Sequence, residues 1–503
     1  MSGDAVPGLL AVLAVTVATV AIGTWGLRFS RTTSDFFVAS RTVHPRLNAS
    51  AIGGEYLSAA SFLGIAGLLL VGGAEMLWYP VGWTAGYLVL LVLVAAPLRR
   101  SGAYTLPDFA EARLGSRVVR AASSLLVVGV GWLYLVPQFR GAGLTLRSAI
   151  GLPEWVGPVI VGLVVLVNVM SGGMRSITFV QAFQYWLKLT ALLVPAMVLL
   201  VVWWGDGRPA GDGGGAAWSV PVADGGGIGL YTTYSLIVAL FLGTMGLPHV
   251  VVRFYTNPDG RGARRTTLAV LALLGLFYLW PPVYAALGRV YGDRLVARGD
   301  ADVLVLELPR LVVDGIGGEL LTALVTAGAF AAFLSTASGL AIAVSGVITQ
   351  DVTSRLVGER GPRGTVATAF RLAAVVAVVV PVVVALTVED VGGRAVGGAR
   401  VRRGGVDVLP AAGARHLVAR ADRRRRPRRP RRRRPRRRQR RGAPPRRGAA
   451  RGLARRPARA PGRLERPARL RRDGARLARH PGPRAAARAA VPRPAAHAGG
   501  AGA

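Results

Sequence analysis

Ser335 and Thr336 stand side by side in AAFLSTASGLAIAVSG, two hydroxyls set into an otherwise apolar run. Adjacent hydroxyls suit a hard cation, which takes oxygen donors. The carbonyl of Ala332, one turn earlier, can serve the same side. Far upstream, AIGGEYLS places Gly54 and Leu57 around a predicted helix break, and such a break frees backbone carbonyls of the same kind. The competing reading of the Ser-Thr pair is local, each hydroxyl bonding a carbonyl of its own preceding turn. A second break, LGTMGLPH, contains Gly243, Thr244 and Gly246, whose N–H groups and positive half-helix end suit an anion. Gln138 in YLVPQFRG can hydrogen-bond a carboxylate or simply bridge two helices. Glu55 is a carboxylate inside an apolar run, costly unless it has a task or a partner. Arg140 can pair with it, balance an anion, or reach the outer surface.

These groups need a scaffold, and the scaffold is a membrane. Ten runs are long and apolar enough to span a bilayer: 6–28, 49–73, 76–97, 120–146, 154–171, 178–204, 228–250, 266–290, 317–347 and 366–388. Ten such helices in series cannot be packed away from water without lipid. The first run has no charged leader before it and no cleavage pattern after it, and is expected to be a retained helix. The second, seventh and ninth spans carry the Gly/Pro interruptions. The breaks in the second and seventh lie five spans apart and enter from opposite faces, as in two repeats of inverted topology with binding near the midplane. The alternative use of the glycines is close helix packing.

Charge gives an orientation. Arg31, Arg41, Arg46, Arg99, Arg100, Arg113, Arg117, Arg175, Arg253, Arg261, Arg264, Arg265, Arg355, Arg360 and Arg363 follow odd-numbered spans; Arg208, Arg294, Arg298 and Arg310 lie in the alternate loops. The positive-inside rule then predicts a multi-pass protein of the cell membrane with its N-terminus outside. Lys188, the only lysine, sits beside Tyr185 and Trp186 and is expected to anchor at the interface. With no cysteine, and only His44 and His249 before residue 394, a transition-metal centre is not expected. Nor is there a nucleophile–base pair or a phosphate loop; an enzyme is not expected.

Five separated blocks resemble the sodium:solute symporter family: GEYLSAASFLGIAG (54–67), RRSGAYTLPDFAEARLGS (99–116), VMSGGMRS with FVQAFQYWLK (169–188), GTMGLPHVVVRFYTNPDGRGARR (243–265) and AAFLSTASGLAIAVSGVITQDV (331–352). The chain is most similar to the cation/acetate branch, which moves small monocarboxylates. The resemblance implies an all-α, LeuT-like inverted five-helix repeat with an extra N-terminal helix. It implies sodium as coupling ion, with a proton as the alternative, held by Gly54, Leu57, Ala332, Ser335 and Thr336. It also implies a small organic anion as substrate, the bilayer as surroundings, and no obligate protein partner or further cofactor. Another solute, such as an amino acid, is the near alternative.

Residues 391–503 form a second kind of polymer after a symporter domain of residues 1–390. From Arg394 onward there are 37 arginines and 4 acids, against 26 basic and 21 acidic residues before it. A nucleic-acid or lipid-binding arm would use such charge. However, no aromatic residue follows Thr387 to stack on bases, and the expected topology puts the segment outside. An inert disordered extension is compatible with the composition. The third reading is a slipped reading frame beginning between Val391 and Gly398. In GC-rich DNA the codons for Arg, Ala, Gly and Pro interconvert on slipping. One permitted codon choice for Gly404–Arg420 reads, one base on, as an apolar run ending in Trp-Trp and a basic residue. The second repeat has four of its five helices as written. Sequencing the DNA across the codons of residues 385–425 is expected to reveal one missing or extra base, with apolar spans following in the restored frame. An intact frame and a C-terminal peptide recovered from membranes would establish the basic tail instead.

Overall fold

Helix is what an apolar chain must form in lipid, since it alone satisfies every backbone group within one segment. A computed structural model describes residues 5–26, 28, 38–211, 218–222, 226–356 and 363–395, and these are all-α, without a strand. The chain divides into units 1–427 and 428–503. The second unit, the arginine tail, Arg31 and Arg360 lie outside the described residues.

The first helix, α1, is Ala5–Gly26. The second span is broken as expected: α2 (Pro45–Tyr56) stops, and a π turn at Ala60–Gly64 leads into α3 (Ile65–Gly72). His44 caps α2, its ring nitrogen accepting from the Arg46 N–H, and Pro45 fits the first turn, where no intrahelical donor is needed. The third span is α4 (Trp78–Val89), continuing through a π turn into α5 (Ala95–Ser101). A short helix, α6 (Leu106–Leu114), opens with a Thr105–Asp108 capping box and leads to α7 (Arg117–Ile150).

The fifth and sixth spans are joined without a loop in α8 (Val156–Gly205), hinged at Gly173. The seventh span breaks between α9 (Gly226–Met245) and α10 (Pro248–Val252). The eighth is split at its Trp-Pro-Pro into α11 (Gly260–Tyr278) and α12 (Trp280–Tyr291). Short α13 (Asp293–Arg298) and α14 (Leu304–Val312) precede α15 (Gly315–Leu356) and α16 (Arg363–Ala395). Among the described residues, eight helices have the length and apolarity to cross a bilayer, and Val156–Ser171 is a shorter apolar one.

One expectation fails. The ninth span is not broken; α15 runs continuous through its glycines. Those glycines serve packing: a Cβ on Gly339 would lie 2.0 Å from the Glu55 carboxylate. In α15, 94% of the apolar window is buried, against 17–39% in the other candidate spans, so α15 is the most enclosed of them. Small residues likewise bring α2 onto α8, where a Cβ on Gly54 would meet the Gln181 carbonyl oxygen at 2.1 Å.

Gly173 has φ 58° and ψ −158°, a conformation nearly restricted to glycine. Gly173→Ala is therefore expected to cost on the order of 1–3 kcal/mol. The cost will show as a lower melting temperature of the detergent-purified protein, and an unchanged melting curve would refute the hinge assignment.

Candidate functional site

The site begins where α2 stops. The Ser58 N–H, which would bond Gly54 O in a continuing helix, turns to Tyr56 O at 2.8 Å. Gly54 O is thereby released. The break leaves donors as well, and the Ala59 N–H goes to Gln138 Oε1 of α7 at 3.2 Å. Gln138, buried as expected of a polar residue at depth, thus spends its carbonyl oxygen on the backbone of the broken helix. Tyr134, one turn before it, donates to Ser58 Oγ at 3.2 Å.

The freed carbonyls meet an ammonium. Lys188 Nζ donates to Gly54 O, to Leu57 O at 2.7 Å and to Ser335 Oγ at 2.9 Å. The Ser335 hydroxyl donates in turn to Ala332 O at 3.1 Å, and Thr336 Oγ1 donates to Glu55 O at 2.7 Å. The residues expected as a cation set, Gly54, Leu57, Ala332, Ser335 and Thr336, therefore do converge between α2 and α15. The back-bonding alternative holds only in part: Ser335 bonds its preceding turn, whereas Thr336 reaches across to α2. Lys188 corrects the sequence reading. It is not an interfacial anchor but fully buried, with its three donors engaged.

A second cluster adjoins the first. Arg253 follows α10 in a 3-10 turn, Arg253–Thr256, and is 1% exposed. Its Nε donates to Glu55 Oε2 at 2.7 Å, one terminal nitrogen to Thr178 Oγ1 at 2.8 Å and the other to Gln181 Oε1. Gln181 then donates to Ser335 O at 2.8 Å, which links the two clusters. Arg253 was expected among the cytoplasmic loop charges, and Arg140 was left open between pairing with Glu55, balancing an anion and reaching the outer surface. The structure corrects the first, with Arg253 buried on Glu55, and leaves Arg140 exposed, away from that pair. A guanidinium has five donors and stays charged, so it can pair with one oxygen of a buried carboxylate and two neutral oxygens at once.

At the second break, of Gly243, Thr244 and Gly246 only Thr244 is buried. The Gly246 N–H is taken by Gly243 O at 3.2 Å, and both glycines are exposed. Thr244 is buried, and its hydroxyl lies 3.4 Å from Tyr56 OH across the two broken helices. His249, one residue into α10, is fully buried against Tyr134, with ring centroids 5.6 Å apart. Neither of its ring nitrogens has a partner among the described residues.

Lys188, Arg253, Gln181 and His249 escaped the sequence reading, yet a signal for Lys188 and Gln181 existed. Thr178, Gln181, Tyr185 and Lys188 recur at spacings of three, four and three, one polar face on an apolar helix.

The sodium:solute symporter family model matches residues 36–394, stopping within the interval where the sequence changes character. An uncharacterized symporter, YwcA, of Bacillus subtilis is 31% identical over 360 residues, covering 69% of this chain and 68% of that protein. A monocarboxylic acid transporter of Corynebacterium glutamicum is 34% identical over 382 residues, covering 70% and 68%. Among solved structures, the substrate-bound outward-open state of a Na+-coupled sialic acid symporter superposes with a TM-score of 0.65 at 15% identity, covering 76% of this chain and 82% of that one. That likeness carries the fold, the LeuT-like inverted repeat; four spans of the second repeat lie among the described residues. These relatives are transporters rather than enzymes, and the chain belongs to the sodium:solute symporter family.

Proposed function

We propose that this chain is a secondary active transporter of the cell membrane, N-terminus outside, that carries a small monocarboxylate such as acetate inward together with a cation. The observation that carries this reading is the convergence of the α2 break with the Ser335-Thr336 pair. A helix interrupted at mid-span, with its carbonyls facing hydroxyls of the most buried helix, is a cation slot that can open and close with the fold. Family membership supports sodium as the ion, and the oxygen set is of the kind sodium takes. The monocarboxylic acid transporter among the relatives supports the substrate class. Thr244, Gln138, Tyr134 and His249 lie around the two breaks and offer a carboxylate polar contacts. Gly243 and Gly246 contribute the turn rather than free donors.

Charge sets the energetics. One cation entering with one monocarboxylate moves no net charge, so voltage does not drive a one-to-one cycle. Each further cation adds about 2.3 kcal/mol per 100 mV.

In cells expressing the full chain, labelled acetate uptake is expected to saturate and to be competed by other short monocarboxylates but not by proline. Ser335→Ala removes a hydrogen bond to a charged group, about 1.5–3 kcal/mol. That is roughly a 10- to 100-fold loss of uptake at equal membrane abundance. Uptake unchanged in a Ser335→Ala/Thr336→Ala double variant would remove the slot from the mechanism. Competition by proline alone would replace the substrate class.

A further inference from the structure

A way from the site to the cytoplasmic side exists, and it is shut. An apolar crevice lies among Met174 of α8, Pro248 and Val252 of α10, and Ala343 of α15, toward the face assigned to the cytoplasm. His249 stands between Pro248 and Val252 on α10, so the crevice adjoins the candidate solute contacts. Its space is about 20 Å³, room for one water and too little for a carboxylate to pass. The corner between α5 and α6 fills its mouth, where Tyr104 and Thr105 complete the lining. Left-handed glycines bound this corner, Gly102 with φ 76° and Gly115 with φ 63°. A Cβ on Gly115 would meet nothing within 4 Å, so that end has room to turn.

The corner is held from two sides. On one, Arg41 donates to Gly102 O and lies 5.4 Å from the centre of the Tyr104 ring. Arg99, at the end of α5, donates to Asn257 O and Pro258 O in the turn after α10. On the other side, Arg120 of α7 gathers three carboxylates. Its Nη2 lies 2.9 Å from Asp108 Oδ1, its Nη1 2.7 Å from Glu111 Oε2 and its Nε 3.0 Å from Asp351 Oδ1. Asp108 and Glu111 belong to α6 and Asp351 to α15, so one side chain ties the corner to the enclosed helix. Asp108 also accepts from the Thr105 N–H at 3.0 Å, closing the capping box. The tie therefore reaches the mouth of the crevice.

This group differs from the Glu55–Arg253 pair in how easily it can part. Glu55 and Arg253 are 1% exposed, and separating them would strand charge in the interior. The side chains around Arg120 are 19–31% exposed, so water replaces each partner at little cost. Three carboxylates also share one positive charge, and the surplus negative charges repel one another. The deep pair holds permanently; the shallow group can let go. We infer that the Gly102–Gly115 corner is the cytoplasmic gate of the transport path and that Arg120 is its latch. When Arg120 releases α6, the corner leaves the crevice and the path below His249 opens. The inference rests on the transporter reading but not on which solute or ion is carried.

The chain has no cysteine, so a single one can report on the crevice. Ala343→Cys places it on the lining, and in a separate protein Ala196→Cys places it at a fully buried position of α8. The full chain in inside-out membrane vesicles is treated with a membrane-impermeant sulfonated maleimide. Labelling of Ala343→Cys is expected to be slow with Arg120 present and roughly tenfold faster with Arg120→Gln. Ala196→Cys is expected to stay unlabelled in both backgrounds. Glu111→Gln and Asp351→Asn each remove one partner and are expected to give smaller accelerations. They decide the question if Arg120→Gln does not reach the membrane. An unchanged rate at Ala343→Cys in the recovered variants would overturn the inference. So would equal acceleration at Ala196→Cys, the mark of general loosening, or acceleration confined to right-side-out vesicles. The labelling needs neither solute nor ion gradient. Failure of acetate uptake would overturn the monocarboxylate reading and leave this outcome unmoved.

Discussion

A helix cannot stop inside a bilayer unless something satisfies its orphaned carbonyls and N–H groups, because lipid offers no hydrogen bonds. In this protein the break after Tyr56 is answered by Lys188, Gln138 and Thr336, each from a different segment of the fold. The rest of the architecture follows from that demand. α8 must approach closely enough to deliver an ammonium, so α2 carries glycines where its backbone meets Gln181. α15 must present hydroxyls at the same depth, so it runs unbroken and buried through the centre. α7 must place an amide against Ala59.

The neighbouring Glu55–Arg253 pair shows how a charged cluster survives there. Losing one member of such a buried pair costs about 3–5 kcal/mol, because the other is left unbalanced. The guanidinium also fastens Thr178 and Gln181, so α2, α8 and the turn after α10 are tied through one side chain. Since α2 and α10 flank the two helix breaks, the pair joins the two half-spans that an inverted repeat places face to face. It gives the fold a shared reference point beside the slot rather than a ligand within it.

The spans and the first two breaks were legible because apolar length and Gly/Pro interruptions are local properties. So was the convergence of Ser335 and Thr336 with the first break, because the family blocks surround them. The break expected in the ninth span was misread because a glycine that makes room for a neighbour looks, in one dimension, like one that bends a chain. Gly339 is the first kind, and its neighbour Glu55 lies far away in sequence. Lys188 and Arg253 were misread for a related reason. A cation near an aromatic pair or in a charge-rich stretch is ordinarily at the interface, and only the folded register shows that its partners lie inward. The helical spacing of Thr178, Gln181, Tyr185 and Lys188 was the available clue, since an interfacial anchor has no need of a polar face leading to it.

Lys188 has a practical side as well. Apart from the N-terminus, it carries the only primary amine in the chain. Reagents that acylate amines can therefore modify the transmembrane interior at one place alone, and only when solvent and reagent reach it. The protein carries a built-in chemical reporter: the rate of acylation at Lys188, followed from either side of a sealed vesicle, is a direct clock of how often its centre opens to each face.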